Sequence, residues 1–202
     1  MTGLLWNILG LLAMVLLTIG TALFVAAEFS LTALDRSQVE NHVRRVGDRK
    51  AHRVRQAHQS LSFQLSGAQV GITITTITTG YVAEPAIADL VNPVLQAIGL
   101  PTGAAFPIAL IVALLLVNFF SMLFGELVPK NLAIARPLPT ARAVAGIQTR
   151  FSAALRWFIK GLNNSANWLL RRFGIQPADQ LASARSPQEL GSLVRASAAG
   201  GC

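Results

Sequence analysis

The chain has 202 residues, 52% of them apolar and only 13% charged. Soluble domains carry about 25% charged residues, so an ordinary soluble globule and a disordered chain are both excluded, and a mean hydropathy of +0.52 points to a membrane. A formal charge of +8 raises nucleic acid as a partner, but all 17 Lys and Arg fall in two blocks, seven from Arg36 to Arg55 and ten from Lys130 to Arg195. Basic blocks alternating with long apolar runs are the pattern of cytoplasmic loops, and no nucleic-acid binding is expected.

Residues 4–33 hold one charged side chain, Glu28. The run is too long for a signal-peptide core and lacks a basic leader. At about 1.5 Å per residue it crosses a bilayer core of about 30 Å. Residues 35–59 are basic, and the Val39, Val43, Val46 spacing predicts a helix on the membrane surface. His42, His52 and His58 match no metal spacing and read as solvated. Residues 62–83 carry no formal charge and are thick with Thr and Gly, a second span. Residues 84–103 hold three prolines and predict a loop with at most one short helix. Residues 104–135 form a third span, broken at Pro129. The two basic blocks share the cytoplasmic side, which puts the N-terminus outside.

Residues 141–173 are amphipathic, with Val144, Ile147, Phe151, Leu155, Phe158, Leu162, Leu169 and Phe173 at three- and four-residue steps. Arg142, Arg150, Arg156, Lys160 and Arg171 supply cationic anchors, and Trp157 and Trp168 suit a headgroup boundary. The segment predicts a belt helix along the cytoplasmic face, in contact with membrane lipid. Beyond Gly174 the chain turns polar. Ser186-Pro187-Gln188-Glu189 is a capping box, so a helix over 188–198 is expected, leading toward a downstream domain. The one cysteine, Cys202, offers no disulfide framework or zinc cluster. No phosphate loop or nucleophile–base arrangement is visible, and no enzyme is expected. The fold class is an all-α membrane protein of three spans and a belt helix. Three helices are few to enclose a polar face, so a homodimer is expected.

Polar groups inside the spans carry the functional signal. In span two Ser66, Gln69, Thr73, Thr76 and Gly80 share one helix face, which suits either a helix–helix contact or an ion path. In span one Thr18, Thr21, Val25, Glu28 and Thr32 share a stripe, with Glu28 either an interfacial anchor or a functional carboxylate. Ser30, on another face, is counted with the ion-binding candidates. In span three Pro129 has no N–H, so the Gly125 carbonyl loses its helical partner and the helix must kink or widen. That carbonyl beside the Glu126 carboxylate gives two hard oxygens, and hydroxyls of Ser66 and Thr73 complete a shell suited to Mg2+ or Na+. The competing reading pairs Glu126 with Lys130, four residues on.

Ala27-Glu28-Phe29-Ser30-Leu31, Gln69-Val70-Gly71-Ile72-Thr73 and Gly125-Glu126-Leu127-Val128-Pro129-Lys130 resemble the CorC/CNNM (cyclin M) membrane family, which includes hemolysin-like proteins. The resemblance covers residues 4–173, and the run from Glu189 is similar to the family's lead into a cytosolic CBS pair. It implies a homodimeric transmembrane domain and Mg2+ transport, often efflux coupled to Na+. Glu126, the Gly125 carbonyl and Ser66 then map onto the ion site. The pattern differs at Val25, where clear Mg2+ transporters carry Ser, and at Ile72 and Thr76, where they carry Asn. Polyamine or other cation export, and a regulatory membrane subunit, stand as alternatives.

Overall fold

The computed structural model describes residues 2–175, and the helix expected over 188–198 lies outside the described residues. The described residues are all-helical. Residues up to Leu155 form one compact unit, and α8 belongs to a second. α1 (Thr2–Thr32) leads to a short pair, α2 (Arg36–Val46) and α3 (Arg49–Gln59), then to the long α4 (Leu61–Ala97). α5 (Thr102–Phe120) runs through a π-helical segment (Ser121–Leu127) into α6 (Val128–Ala135) without a break. α7 (Pro137–Ala154) completes the first unit, and α8 (Arg156–Arg172) follows. Two stretches, Leu5–Thr32 and Thr102–Ala135, are long and apolar enough to cross a bilayer. α4 has the length but a more polar composition.

α1 and α4 pack antiparallel, and small residues set their distance. Gly10 lies against Ala86, Gly20 against the Thr75 methyl, and Gly71 under the ring of Phe24. A Cβ at Gly10 or Gly71 would overlap those neighbours. Met14, Ala83 and Val117 form a buried cluster that joins α5. A second, alanine-rich seam of Ala88, Ala109 and Ala113 joins α4 to α5. Below α1, Leu31 and Leu34 pack with Val39, Val54, Ala57, Ala141 and Ala145 of α2, α3 and α7. Each fully buried Leu or Val there contributes about 1.5–3 kcal/mol.

Three sequence expectations are corrected. The loop expected over 84–103 is helical to Ala97, with Pro85 and Pro93 inside the helix. The Ala88 seam holds the chain helical past both rings, a case of packing overriding propensity. The single surface helix of residues 35–59 is two helices. Gly47, at φ +60°, closes α2, and Asp48 caps α3 by accepting the Ala51 N–H at 2.7 Å. The belt segment is likewise two helices, parted at Leu155. The buried face of α7 is Thr140, Ala141, Ala145, Gln148 and Ser152, while Ile147 of the apolar set is 52% exposed. Of that apolar set Phe151 packs on Phe24 of α1, ring centroids 4.6 Å apart, so the periodicity runs partly inward and partly outward, and the fully buried face is built of small and polar residues.

Candidate functional site

The π segment is the main irregularity of the helix Thr102–Ala135. In an α-helix each N–H reaches back four residues, and in a π-helix five. Val128 donates to the Leu123 carbonyl, five back. The Phe124 carbonyl is thereby passed over at Val128, and its π-register donor at position 129 is a proline with no N–H. The wider turn expected of Pro129 is present, and in the π register the carbonyl that Pro129 deprives of a donor is that of Phe124, the Gly125 carbonyl losing its donor only in the α register. Segments of this kind occur frequently at functional sites.

Gly125 is buried, its Cα turned toward Thr18 and Thr21 of α1, where a Cβ would meet their side chains at 3.5 Å. The next residue, Glu126, is exposed and enters no ion pair among the described residues. Lys130 points elsewhere, its Nζ 4.7 Å from the centroid of the Phe29 ring, so the pairing of Glu126 with Lys130 is not formed. A carboxylate at the centre of a span costs about 2.5–3.5 kcal/mol, and Glu126 sits on the apolar stretch Thr102–Ala135.

Thr18 and Thr21 stand at the junction of α1, α4 and the π segment. Thr21 donates to the Leu17 carbonyl at 3.1 Å and lies 2.7 Å from the Thr75 hydroxyl across the α1–α4 seam. Thr79, one turn on in α4, is buried and donates to the Thr75 carbonyl. Met14 faces Val117 and Thr21 faces Gly125, so the parallel register sets Thr18 opposite Ser121. Both hydroxyls are buried without a protein partner. Sequence reading placed Thr18 and Thr21 on one stripe but not among the ion-binding residues. The signal was the small-residue repeat in the third span, which brings α1 close at Ser121 and Gly125.

The other predicted residues lie apart from this junction. Ser66 donates to the Ser62 carbonyl at 3.1 Å, and Thr73, which is exposed, to the Gln69 carbonyl at 2.8 Å. The face Ser66–Gln69–Thr73 is turned away from the α4 side that buries Gly67, Ala68 and Gly71. α1 packs against both α4 and the π segment, and α4 has no comparable contact with the π segment. Within one chain, then, Glu126 and Gly125 are not brought to Ser66 and Thr73. Ser30 is buried, its hydroxyl 3.4 Å from the Ala27 carbonyl. The Glu28 carboxylate is hydrogen-bonded by Gln69, which ties α1 to the polar face of α4.

At the other end of the helices the basic block is structural as well as solvated. Arg142 forks onto Asp48 at 3.1 and 2.5 Å and reaches His42 Nε2 at 2.7 Å. It ties α7 to the α2–α3 turn instead of serving as a lipid anchor. His58 donates through Nε2 to the Leu34 carbonyl at 2.8 Å. His42 and His58 are thus engaged, against the expectation that all three histidines are solvated. Gln148, fully buried, donates to the Gln64 carbonyl at 2.8 Å and to Ser152 at 3.1 Å. Gly67 leaves room for that contact, since a Cβ there would collide with Ser152.

The chain matches the family model for the cyclin M transmembrane N-terminal domain over residues 11–202. It is 54% identical over 95% of its length to UPF0053 protein MT1890 of Mycobacterium tuberculosis, covering 42% of that protein. It is 34% identical over 86% of its length to UPF0053 protein YhdT of Bacillus subtilis, covering 38%. A further Mycobacterium tuberculosis protein, the uncharacterized MT1889, is 35% identical over 93% of this chain and 53% covered by it. The chain spans between two fifths and about half of the length of these relatives.

Proposed function

The chain belongs to the cyclin M transmembrane-domain family, and from that premise we propose that it is the membrane part of a cation transporter, exporting Mg2+ in exchange for Na+. The observation that carries this reading is Glu126, an exposed, unpaired carboxylate on a π segment inside an apolar helix. The backbone beside it has a carbonyl oxygen, that of Phe124, left without its π-register donor by Pro129. A carboxylate and a carbonyl together are hard ligands for Mg2+ or Na+.

In this reading α4 is the second of three spans, and the basic block from Arg36 to Arg55 lies in the cytoplasm with the N-terminus outside. A homodimer follows from the exposed polar groups. Gln69 and Thr73 are exposed though bonded within the chain, and Glu126 faces outward unpaired, where lipid would leave its carboxylate unsatisfied. A twofold contact between chains covers such groups and gives Glu126 the hydroxyl neighbours, Ser66 and Thr73, that its own chain keeps apart. Val25 and Ile72 bring no oxygen to the site, a feature that suits a less tightly caged cation such as a polyamine as the alternative cargo. Flux of Mg2+ and Na+ into proteoliposomes tests the assignment. Glu126→Gln keeps shape and removes charge, so flux should fall to background while the protein stays folded; unchanged flux would remove the carboxylate from the transport path.

A further inference from the structure

α2 and α3 line a half-open cavity of about 230 Å3 formed by Arg36, Val39, Glu40, Arg55, His58 and Gln59. Its lining carries two guanidiniums against one carboxylate. Arg55 reaches Glu40 only at 3.9 Å and leans on His52 Nδ1 at 3.3 Å. Arg36 enters no ion pair among the described residues. His58 is fixed on the Leu34 carbonyl at 2.8 Å, so this wall is anchored to the end of α1, and the buried Val39 supplies an apolar side. At about 30 Å3 per water the volume holds about eight waters' worth of liquid, room for a phosphate ester and its polar substituent. Guanidinium forks match phosphate oxygens in geometry as well as charge.

The cavity's position names the source of that ester. α1 leaves its apolar stretch at Thr32, four residues before Arg36, and Gln59 stands two residues before α4 begins at Leu61. The cavity therefore lies at the level where an apolar helix emerges from the bilayer, which is the level of lipid phosphates. We propose that this cavity binds a phosphate ester between Arg36 and Arg55, supplied by the headgroup of an anionic phospholipid. The proposal rests on the membrane reading of α1 and not on the transported ion.

Native mass spectrometry of the detergent-solubilised chain tests it, with phosphatidylglycerol, phosphatidylcholine and soluble glycerol 3-phosphate as probes. Phosphatidylglycerol should be retained at one more copy per chain than phosphatidylcholine. Arg36→Gln should cut that retention about tenfold or more, the range for hydrogen bonds to charged groups. Arg44→Gln, an exposed arginine of the same helix outside the cavity, should change it by no more than about fivefold, the size of one general surface charge. Arg36→Lys keeps the charge and loses the fork, and should fall between them, which covers the case of a poorly folded glutamine variant. Displacement of the retained lipid by glycerol 3-phosphate would show that the cavity reads the ester from either source, and failure to displace it would show that the lipid-borne form is required; both support the proposal. Equal losses for Arg36→Gln and Arg44→Gln, or no loss for either, would overturn it by reducing the effect to general surface charge. Flux lost in Glu126→Gln has no bearing on this result, so the two readings fail separately.

Discussion

Asp48 serves two helices with one carboxylate. Its Oδ1 accepts the Ala51 N–H that opens α3, and both oxygens take the fork of Arg142 from α7. The Arg142 hydrogen bonds, and after them the Ala51 N–H, hold the Asp48 carboxyl below its ordinary value. A depressed folded-state pKa stabilises the fold at all pH above the unfolded value, about 3.9, and that stabilisation is lost as pH falls through the folded value. The thermal midpoint in detergent should therefore fall on the acid side of about pH 4 through this group. Asp48→Asn should start lower at neutral pH and lose that part of the acid-side decline; a decline identical to that of the parent chain would show that the pair contributes nothing. The partner of Asp48 was not legible in the sequence, because 94 residues separate the two and nothing local marks Arg142 as different from the arginines around it. The start of α3 was legible in principle, as Gly47-Asp48 is a helix stop followed by a cap.

Pro129 decides the form of the second long apolar helix, Thr102–Ala135. Pro129→Ala supplies an N–H that the Phe124 or Gly125 carbonyl can take, according to whether the segment stays π or reverts to α. Stability should rise by about 1 kcal/mol, the usual net value of a hydrogen bond, and cation flux should fall. Thermal unfolding and proteoliposome flux check the two together; a gain in stability with flux intact would separate the freed carbonyl from transport. Sequence reading located this irregularity correctly from Pro129 alone, since the missing N–H is a covalent fact. It did not yield the π register, which depends on where α1 presses on Ser121 and Gly125. It lost the second half of α4 for a related reason: Pro85 and Pro93 are local signals, and the alanine seam that overrides them lies on another helix.

For the whole molecule, the charge blocks make topology the most direct check. In a background where Cys202 is replaced by Ser, cysteines at Gln59 and Asp89, both exposed near opposite ends of the polar half of α4, should be labelled from opposite sides of the membrane. Labelling of both from one side would remove α4 from the set of spans. The same sample should show the mass of two chains in detergent; a monomer at every concentration would leave Glu126 without the neighbours the proposal assigns it. The all-helical architecture, the two long apolar helices and the family were legible in the sequence because apolar run length and charge placement are properties of composition along the chain. The burial pattern of α7 was not, since small and polar residues line its inner face and Gln148 gains its partner, the Gln64 carbonyl, only in the folded chain.

The buried positions of the second long apolar helix form a stripe of their own. Ala105, Ala109, Ala113, Val117, Ser121, Gly125, Pro129 and Ala133 recur at every fourth residue. In an α-helix of 3.6 residues per turn, four residues overshoot a full turn by about 40°, so the stripe winds around the axis. It winds from α4, at Ala109 and Ala113, toward α1. A π segment has more than four residues per turn, so the same four-residue step undershoots and the winding reverses there. The segment thus acts as a phase corrector that keeps Gly125, Pro129 and Ala133 on the inner side. Deleting a single residue from it would return the segment to α geometry, where six residues at about 100° turn about as far as seven at just under 90°, so Ala133 would stay inside while the widened turn at Gly125 was lost.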